Sequence, residues 1–290
     1  MSRPMRQPRT DLTITRMAEW LWIAIKTIVL LALLFFSITP IIWLVATSFK
    51  RQADFFAYPP VILFAPTLTN FQSAVFGSPA FFDALWHSFF LATCVTAMAI
   101  GIGSLAGYAL ARYRFRGARA IGVAILASRL IPGATMVIPY FALMRQLHLT
   151  GTMLGLILTY SSFALGFCSW MMYGFFLELP RDLEEAALVD GATPYGAFWR
   201  VALPLALPGV IATGILAFIG SWNEFLYALI IGGRNTRTLP VELAGNITER
   251  SVNWGDLFAI ATAMVVPVFI LTLLVQRNLV RGLTAGAVKG

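Results

Sequence analysis

Residues 178–207 read ELPRDLEEAALVDGATPYGAFWRVALPLAL and form a polar insert between two long apolar runs. Pro180 suits the first position of a helix, because the N–H that proline lacks has no partner there. Three acidic residues follow at the positive end of the helix dipole, where negative charge is stabilising: Asp182, Glu184 and Glu185. The insert is therefore predicted to begin with a short helix.

A second short helix is predicted in the same insert. Gly191 can adopt the left-handed conformation that ends the first helix. Thr193 and Pro194 form an N-cap and first-position pair, and the second helix is expected to end near Pro204. Arms of about ten residues, or about 15 Å, are too short and too polar to span a bilayer.

The surface of this helical pair indicates a docking element. Ala186 and Ala187 leave one face of the first helix nearly flat, so that another protein could approach closely. The pair also carries apolar side chains that a lone loop could not readily bury: Leu183, Leu188, Val189, Tyr195, Phe198 and Trp199. The alternative is an amphipathic loop that rests on lipid headgroups.

Outside the insert, the chain has the composition of a membrane protein. Of its 290 residues, 59% are hydrophobic and 12% charged, with mean hydropathy +0.79, whereas soluble domains have about 25% charged residues. Runs long enough for membrane helices of about 20 residues lie at residues 20–47, 86–111, 120–144, 152–177, 208–231 and 257–279. The first run is too long for a signal-peptide core and is interpreted as a retained span.

The basic residues predict the orientation of these six spans. With a cytoplasmic N-terminus, thirteen lie inside: Arg3, Arg6, Arg9, Arg16, Arg112, Arg114, Arg116, Arg119, Arg181, Arg200, Arg277, Arg281 and Lys289. Six lie outside: Lys50, Arg51, Arg145, Arg234, Arg237 and Arg250. This positive-inside pattern predicts that both termini and the 178–207 loop are cytoplasmic. It also explains the net charge of +8 without nucleic-acid binding.

The predicted fold is an all-α integral membrane protein with six transmembrane helices. Residues 1–19 are expected to form a cytoplasmic N-terminal segment, residues 20–280 a single transmembrane domain, and residues 281–290 a cytoplasmic tail. Gly103 and Gly107, like Gly151 and Gly155, have the spacing that permits close helix approach in lipid. Kinks are expected at the prolines within the spans: Pro132, Pro139 and Pro267.

The residues needed for common enzyme chemistry are missing from the sequence. A P-loop requires Gly-Lys followed by Ser or Thr, and none of Lys26, Lys50 and Lys289 follows a glycine. Two histidines and two cysteines, the latter inside apolar runs, give no basis for a metal site or a nucleophile–base pair. The chain is therefore expected to have no catalytic residues, metal or cofactor of its own.

Two ionisable residues within the predicted spans are candidates for a transport pathway. Glu224 is the one acid inside a span, and its neighbours Trp222 and Asn223 are further candidates. Arg129 lies ten residues beyond Arg119, or about 15 Å along a helix, and such residues are commonly functional. Alternatively, Glu224 caps or braces an interface through Asn223, and Arg129 snorkels or pairs structurally.

The spacing within the insert resembles the EAA loop of binding-protein-dependent ABC importer permeases. Glu185-Ala186-Ala187 is followed after three residues by Gly191 and then, after nine, by Val201-x-Leu203-Pro204. The resemblance implies that this loop is the coupling helix that docks on an ATPase. It assigns coupling geometry to Glu185 and Gly191, close docking to Ala186 and Ala187, and the exit into the fifth span to Leu203 and Pro204. Val201 stands where the family usually has Ile.

Further motifs are similar to the carbohydrate branch of that family, close to the second permease of maltose-type importers. They are PTLTNF at 66–71, WNEF at 222–225, NWG at 253–255 and the C-terminal GLTAGAVKG at 282–290. The resemblance implies that the tail reaches the ATPase dimer through Gly286, Val288 and Lys289.

The resemblance implies a permease subunit in a bacterial inner membrane that imports a sugar, oligosaccharide or polyol. The expected partners are a second, non-identical permease, a dimer of ABC ATPases that hold ATP and Mg²⁺, an extracytoplasmic carbohydrate-binding protein and membrane lipid. An ion-coupled secondary transporter or channel subunit is the alternative. It would act without an ATPase, but Glu224 alone is a poor basis for an ion relay.

Overall fold

The computed structural model describes residues 10–247 and 252–285. Within these ranges, every regular element is helical apart from one isolated antiparallel bridge between Ile247 and Val252. The all-α prediction is therefore confirmed for the described chain.

The α-helices are joined mostly by short connections, apart from the longer segment between Ser48 and Thr69. They are α1 (Thr10–Ser48), α2 (Thr69–Phe71), α3 (Pro79–Arg112), α4 (Ala118–Ser128), α5 (Gly133–Gln146), α6 (Met153–Glu178), α7 (Asp182–Val189), α8 (Pro194–Ala197), α9 (Leu203–Leu205), α10 (Leu207–Trp222), α11 (Leu226–Ile231), α12 (Leu239–Ala244) and α13 (Trp254–Ala285). Short 3₁₀ turns form at Gln52–Asp54 and Arg234–Thr236, and π-helical segments at Gln72–Phe76 and Phe198–Ala202.

Four described helices are individually long and apolar enough to cross a membrane: Glu19–Ser48 of α1, α3, α6 and Trp254–Leu274 of α13. Two bent pairs raise the number to as many as six, namely α4 with α5 at 102°, and Pro194–Leu205 with α10 at 75°. A count of six is reached only when each of the two bent pairs is taken as one span, and the second pair begins in the 178–207 loop, before the predicted span at 208–231.

The predicted spans at 120–144 and 208–231 are not continuous helices. The first breaks between Ser128 and Gly133, because Pro132 has no N–H and disfavours helical conformation in the residue before it. The second stops at Trp222 and resumes at Leu226. The expected kink at Pro132 is thus a full break, whereas Pro139 and Pro267 remain inside α5 and α13.

Close packing of α3 against α6 forms the centre of the bundle. A Cβ added at Gly103 would lie 2.7 Å from Cys168 Cβ, and one at Gly107 would lie 2.6 Å from the backbone nitrogen of Tyr173. Both positions therefore require glycine, as their spacing predicts. Gly155 differs, because its α-carbon faces the backbone of Leu149 in the preceding turn and not another membrane helix.

Two sequence motifs on the side opposite the 178–207 loop meet in the folded chain. The Asn70 side-chain amide donates to the carbonyls of Ser48 and Lys50, each at 2.9 Å. A Cβ at Gly255 would lie 2.5 Å from Asn70 Oδ1. The 66–71 and 253–255 motifs thus join the end of α1 to the start of α13.

Candidate functional site

The loop between α6 and α10 begins with α7. Arg181 is the residue that precedes the helix, so Pro180 lies one position before the N-cap and not at the first helical position. The predicted acids Asp182, Glu184 and Glu185 occupy the first turn, where they complement the helix dipole.

The turn after α7 has the geometry expected from its sequence. Gly191 has φ +90°, and its N–H donates to the Leu188 carbonyl at 3.1 Å. Thr193 Oγ1 then accepts from Gly196 N at 3.1 Å, with Pro194 at the first helical position. Helical structure continues to Leu205, one residue beyond the predicted end.

A buried ion pair attaches α7 to the membrane helices. Arg112, the last residue of α3, donates from Nη2 and Nε to Glu184 Oε1 at 2.7 and 2.9 Å. Tyr108 donates its hydroxyl to Glu184 Oε2 at 2.8 Å. The side chains of Arg112 and Glu184 are only 7% and 8% exposed. Arg181 adds a bond to the Ala111 carbonyl at 3.1 Å, so the loop has a fixed position against α3.

The opposite side of α7 is available for contact in this chain. Glu185 and Ala186 are exposed and Ala187 is half-buried. Most of the apolar set predicted on the loop is also exposed: Leu183, Leu188, Val189, Tyr195 and Trp199. Phe198 differs, since it is buried between Tyr108 and Phe176. The loop therefore carries several exposed apolar side chains that this chain alone does not bury.

The remaining motif residues lie in the second arm of the loop. Val201 is half-buried and Pro204 is exposed. Leu203 packs against the apolar cluster that contains Phe198 and Ala206. Leu203 thus belongs to the packing that fixes the bend into α10, and not to the exposed side of α7.

A cavity of about 450 Å³ opens between α6 and the two broken helices, which are α4 with α5 and α10 with α11. Arg129 at the end of α4 and Glu224 between α10 and α11 both line it. These two sequence-predicted residues are separated by 95 positions in the chain, and the two helix breaks bring them to one cavity. Aromatic side chains form much of the remaining wall: Tyr160, Phe163, Phe167 and Tyr227.

Arg129 is exposed to the cavity, and its guanidinium lies 5.1 Å from the ring centroid of Phe167. Such a distance corresponds to a cation–π contact. The ion pairs found among residues 10–247 and 252–285 are Arg112–Glu184 and Arg237–Glu242. Arg129 belongs to neither, so its charge is oriented by an aromatic ring.

Glu224 has a structural contact within the same cavity. Its Oε1 accepts from the backbone N–H of Tyr227 at 3.0 Å, which caps the first turn of α11. The Tyr160 hydroxyl donates to the Glu224 carbonyl at 3.4 Å, and the Tyr227 hydroxyl donates to the Gly133 carbonyl at 2.6 Å. Tyr160 and Tyr227 therefore join α6, α11 and the start of α5 around the cavity.

The other candidate residues lie elsewhere. Trp222 is buried, stacks on Phe218, and donates from Nε1 to the Met264 carbonyl at 3.3 Å. Asn223 is exposed at the end of α10 but does not line the cavity. The proposed tail contacts Gly286, Val288 and Lys289 lie outside the described residues.

The sequence interpretation did not assign roles to Arg112, Tyr108, Tyr160 or Tyr227. From the sequence alone, Arg112 contributes only to the count of basic residues on the inside, and Glu184 only as a first-turn acid. One signal was present: two adjacent acids on a short helix must point in directions about 100° apart, so Glu184 and Glu185 could not share one environment.

These features match a known protein family. Residues 99–285 match the family described as "Binding-protein-dependent transport system inner membrane component". The chain belongs to this family. The match includes the broken helices, both charged cavity residues and the whole 178–207 loop, so this inner-membrane component carries its candidate site within the part that defines the family.

Relatives of this inner-membrane component cover most of its length. The sulfoquinovosyl glycerol transport system permease SmoH of Agrobacterium fabrum is 40% identical over 254 residues, which are 87% of this chain and 88% of that protein. The trehalose transport system permease SugB of Mycobacterium tuberculosis is 36% identical over 262 residues, 88% and 93% of the two chains. The diacetylchitobiose uptake permease DasC of Streptomyces coelicolor is 34% identical over 256 residues, 87% and 91%.

Solved structures share the fold of this inner-membrane component. A chain from the crystal structure of a bacterial ABC transporter involved in the import of the acidic polysaccharide alginate matches with a TM-score of 0.75 and 22% identity, covering 95% of this chain and 99% of that one. A chain of the MetNI methionine ABC transporter matches with a TM-score of 0.57 and 20% identity over 70% of this chain and 96% of that chain. The ABC permease fold is thus confirmed.

Proposed function

We propose that this inner-membrane component is one of two permease subunits that form the pathway of a carbohydrate importer, with ATPase activity on separate chains. The permeases SmoH, SugB and DasC, each at least 34% identical, are named for the transport of sulfoquinovosyl glycerol, trehalose and diacetylchitobiose. The cargo is a sugar, oligosaccharide or polyol. Family membership favours this function over an ion-coupled transporter or channel.

The proposed topology places both termini and the 178–207 loop in the cytoplasm. The Arg112–Glu184 ion pair supports it, because it puts that loop and the arginine-rich 112–119 connection at the same end of the bundle. Basic connections favour the cytoplasmic side. The layout is a cytoplasmic segment at 1–19, a permease domain at 20–280 and a cytoplasmic tail at 281–290.

The attached helix α7 is the single feature on which the coupling role depends. Glu184 holds α7 against α3, while Glu185 and Ala186, which point about 100° and 200° away from Glu184 around the helix, are exposed. A helix with small side chains permits close approach of a partner, and its fixed base transmits displacement into α3. The proposed partner is a dimer of ABC ATPases, which hold ATP and Mg²⁺ and move the loop when they close.

The cavity between the broken helices is the proposed section of the transport pathway. Aromatic rings such as Phe163, Phe167 and Tyr227 suit the apolar faces of sugar rings, and Arg129 supplies hydrogen-bond donors for hydroxyl or anionic groups. Glu224 shapes the cavity by capping α11. Asn223 and Trp222 contribute indirectly, through the end of α10.

Further proposed contacts extend beyond this chain. An extracytoplasmic carbohydrate-binding protein delivers the cargo, and a second, non-identical permease completes the pathway. The C-terminal residues Gly286, Val288 and Lys289 contact the ATPase dimer. Lipid surrounds the apolar helices, and no nucleic acid takes part.

Reconstitution tests this proposal. The chain is co-expressed with the permease, ATPase and binding protein of its system, purified in detergent and placed in proteoliposomes with internal ATP. We expect the four components to purify together and to accumulate the saccharide that raises the melting temperature of the binding protein. Uphill uptake by this chain alone, or failure of the ATPase to bind when α7 is intact, would contradict it.

A further inference from the structure

A second open groove, of about 500 Å³, lies at the end of the bundle that carries the 112–119 connection. The end of α3, most of α4 and the second half of α6 form its walls. None of its lining residues lines the cavity that contains Arg129. The groove therefore requires an explanation separate from the transport pathway.

The cations of this connection are not equivalent. The charge of Arg112 is neutralised by its buried ion pair with Glu184. Arg114 and Arg119 line the groove and are exposed, and neither belongs to the two ion pairs found in the described part of the chain. Arg116 is exposed but does not line the groove. No aspartate or glutamate lines the groove either, so its two arginines give it a net positive charge.

The remaining walls are apolar and aromatic. Tyr113, Trp170 and Tyr173 line the groove, and the rings of Trp170 and Tyr173 lie 5.7 Å apart. Tyrosine and tryptophan favour the headgroup level of a bilayer, because one end of each ring is apolar and the other polar. Leu110 and Val123 continue the wall on α3 and α4, deeper along the membrane helices.

We propose that this groove binds one anionic phospholipid. The phosphate lies at Arg114 and Arg119, the headgroup contacts the aromatic rings, and an acyl chain follows Leu110 and Val123 between α3 and α4. A neutral phospholipid leaves the excess positive charge uncompensated. A free phosphate ion leaves the apolar wall uncovered. Basic pockets between membrane helices recognise anionic headgroups for these two reasons together.

Trp170 provides a local probe of the occupant, because it is 40% exposed and lines the groove. The assembled importer is placed in vesicles of phosphatidylcholine that contain either brominated phosphatidylglycerol or brominated phosphatidylcholine at equal fractions. Bromine on the acyl chain quenches tryptophan fluorescence at contact distance. Subtraction of the signal from a Trp170→Phe importer isolates the contribution of Trp170 from that of the other tryptophans.

Each arginine near a membrane surface contributes a factor of about five to binding of an anionic lipid. We expect Trp170 to be quenched by phosphatidylglycerol with an apparent preference of roughly tenfold or more over phosphatidylcholine. The double variant Arg114→Gln/Arg119→Gln should lose this preference, whereas Arg114→Lys/Arg119→Lys should keep most of it. The matched control Arg116→Gln should behave like the wild type, since Arg116 lies outside the groove.

Two results would overturn the proposal. Equal quenching by the two lipids in the wild-type importer shows that the arginines select no headgroup. Absence of any Trp170 quenching shows that another subunit covers the groove. Co-purification of the four components and their uptake activity are measured on the same samples, so failure of the lipid site is distinguishable from failure of the transport function.

Discussion

Arg112 and Glu184 form a buried ion pair that joins the last residue of α3 to the first turn of α7, with 2.7 Å between Nη2 and Oε1. Tyr108 completes the coordination of the carboxylate from one turn earlier in α3. Because both charges are almost inaccessible to solvent, neither residue can be removed without leaving an unpaired charge or an unsatisfied polar group. The pair therefore fixes where the loop is held.

We predict that Glu184→Ala detaches α7 from α3. Removal of one partner from a buried ion pair costs about 3–5 kcal/mol, so part of this cost should appear as a lower melting temperature of the purified complex. Uptake driven by ATP should fall more than ATP hydrolysis does. Glu185→Ala is the matched control, because Glu185 is the exposed neighbour, and it should leave the melting temperature unchanged. Equal melting temperatures for Glu184→Ala and wild type would show that the pair does not hold the loop.

We predict that Gly191→Val uncouples transport from ATP hydrolysis while membrane insertion stays intact. The residue has φ +90°, and no atom lies within 4 Å of an added Cβ. The defect should therefore come from backbone strain, about 1–2 kcal/mol for a left-handed residue with a side chain, and not from a clash. Gly191→Asn is the control, since asparagine tolerates this conformation. Wild-type uptake by the valine variant in an assembled complex would rule out a role of this turn in coupling.

We predict that Arg129→Met lowers the rate of uptake at least severalfold without changing assembly. The guanidinium faces the cavity and is placed by Phe167. Arg129→Lys should retain part of the activity, because the charge remains while the planar donor set is lost. The measurement is uptake of the identified saccharide by proteoliposomes. Unchanged uptake in the methionine variant would assign Arg129 to a structural or lipid-facing role.

We predict that Gly107→Ala destabilises the subunit. The new methyl group would lie 2.6 Å from Tyr173 N and 2.9 Å from the Ser169 carbonyl oxygen. These are backbone atoms that cannot move alone, and overpacking of this kind costs about 1–3 kcal/mol. Gly101→Ala in the same helix is the control, because nothing lies within 4 Å of its added Cβ. Thermal unfolding in detergent should separate the two variants, and similar curves would contradict the close packing of α3 on α6.

The apolar runs predicted the approximate position of the long membrane helices, because hydrophobic length is a local property of the sequence, but the structure gives four such helices and reaches six only with both bent pairs. The two helix breaks were harder to predict from the sequence. Pro132 indicated a kink, but the 102° bend between α4 and α5 depends on what α6 and α11 pack against them. The break after Trp222 has no proline, and it depends on the side chain of Glu224 as a cap for α11.

The candidate site could be predicted only in part, because some of its features depend on local sequence and others on contacts between distant residues. Gly191 acts through its own backbone conformation, and Thr193 acts through a side-chain hydrogen bond to Gly196, three residues further on. Both could therefore be derived from local rules. Glu184 could not be distinguished from Glu185 in this way, because its burial depends on Arg112, 72 positions earlier in the chain. Arg129 and Glu224 were identified separately as intramembrane charges, but only the fold shows that they share a cavity.

The glycine contacts between α3 and α6 have a consequence for how this subunit can move. With the two backbones in direct contact at Gly103 and Gly107, neither helix can rotate about its axis or slide past the other without steric overlap. In the proposed coupling role, a displacement of α7 is transmitted through Arg112 to the packed pair of α3 and α6. Since Tyr160 and Phe167 lie on α6 and line the cavity, we expect a small tilt of this helix pair at one membrane surface to change the width of the cavity deeper in the bilayer.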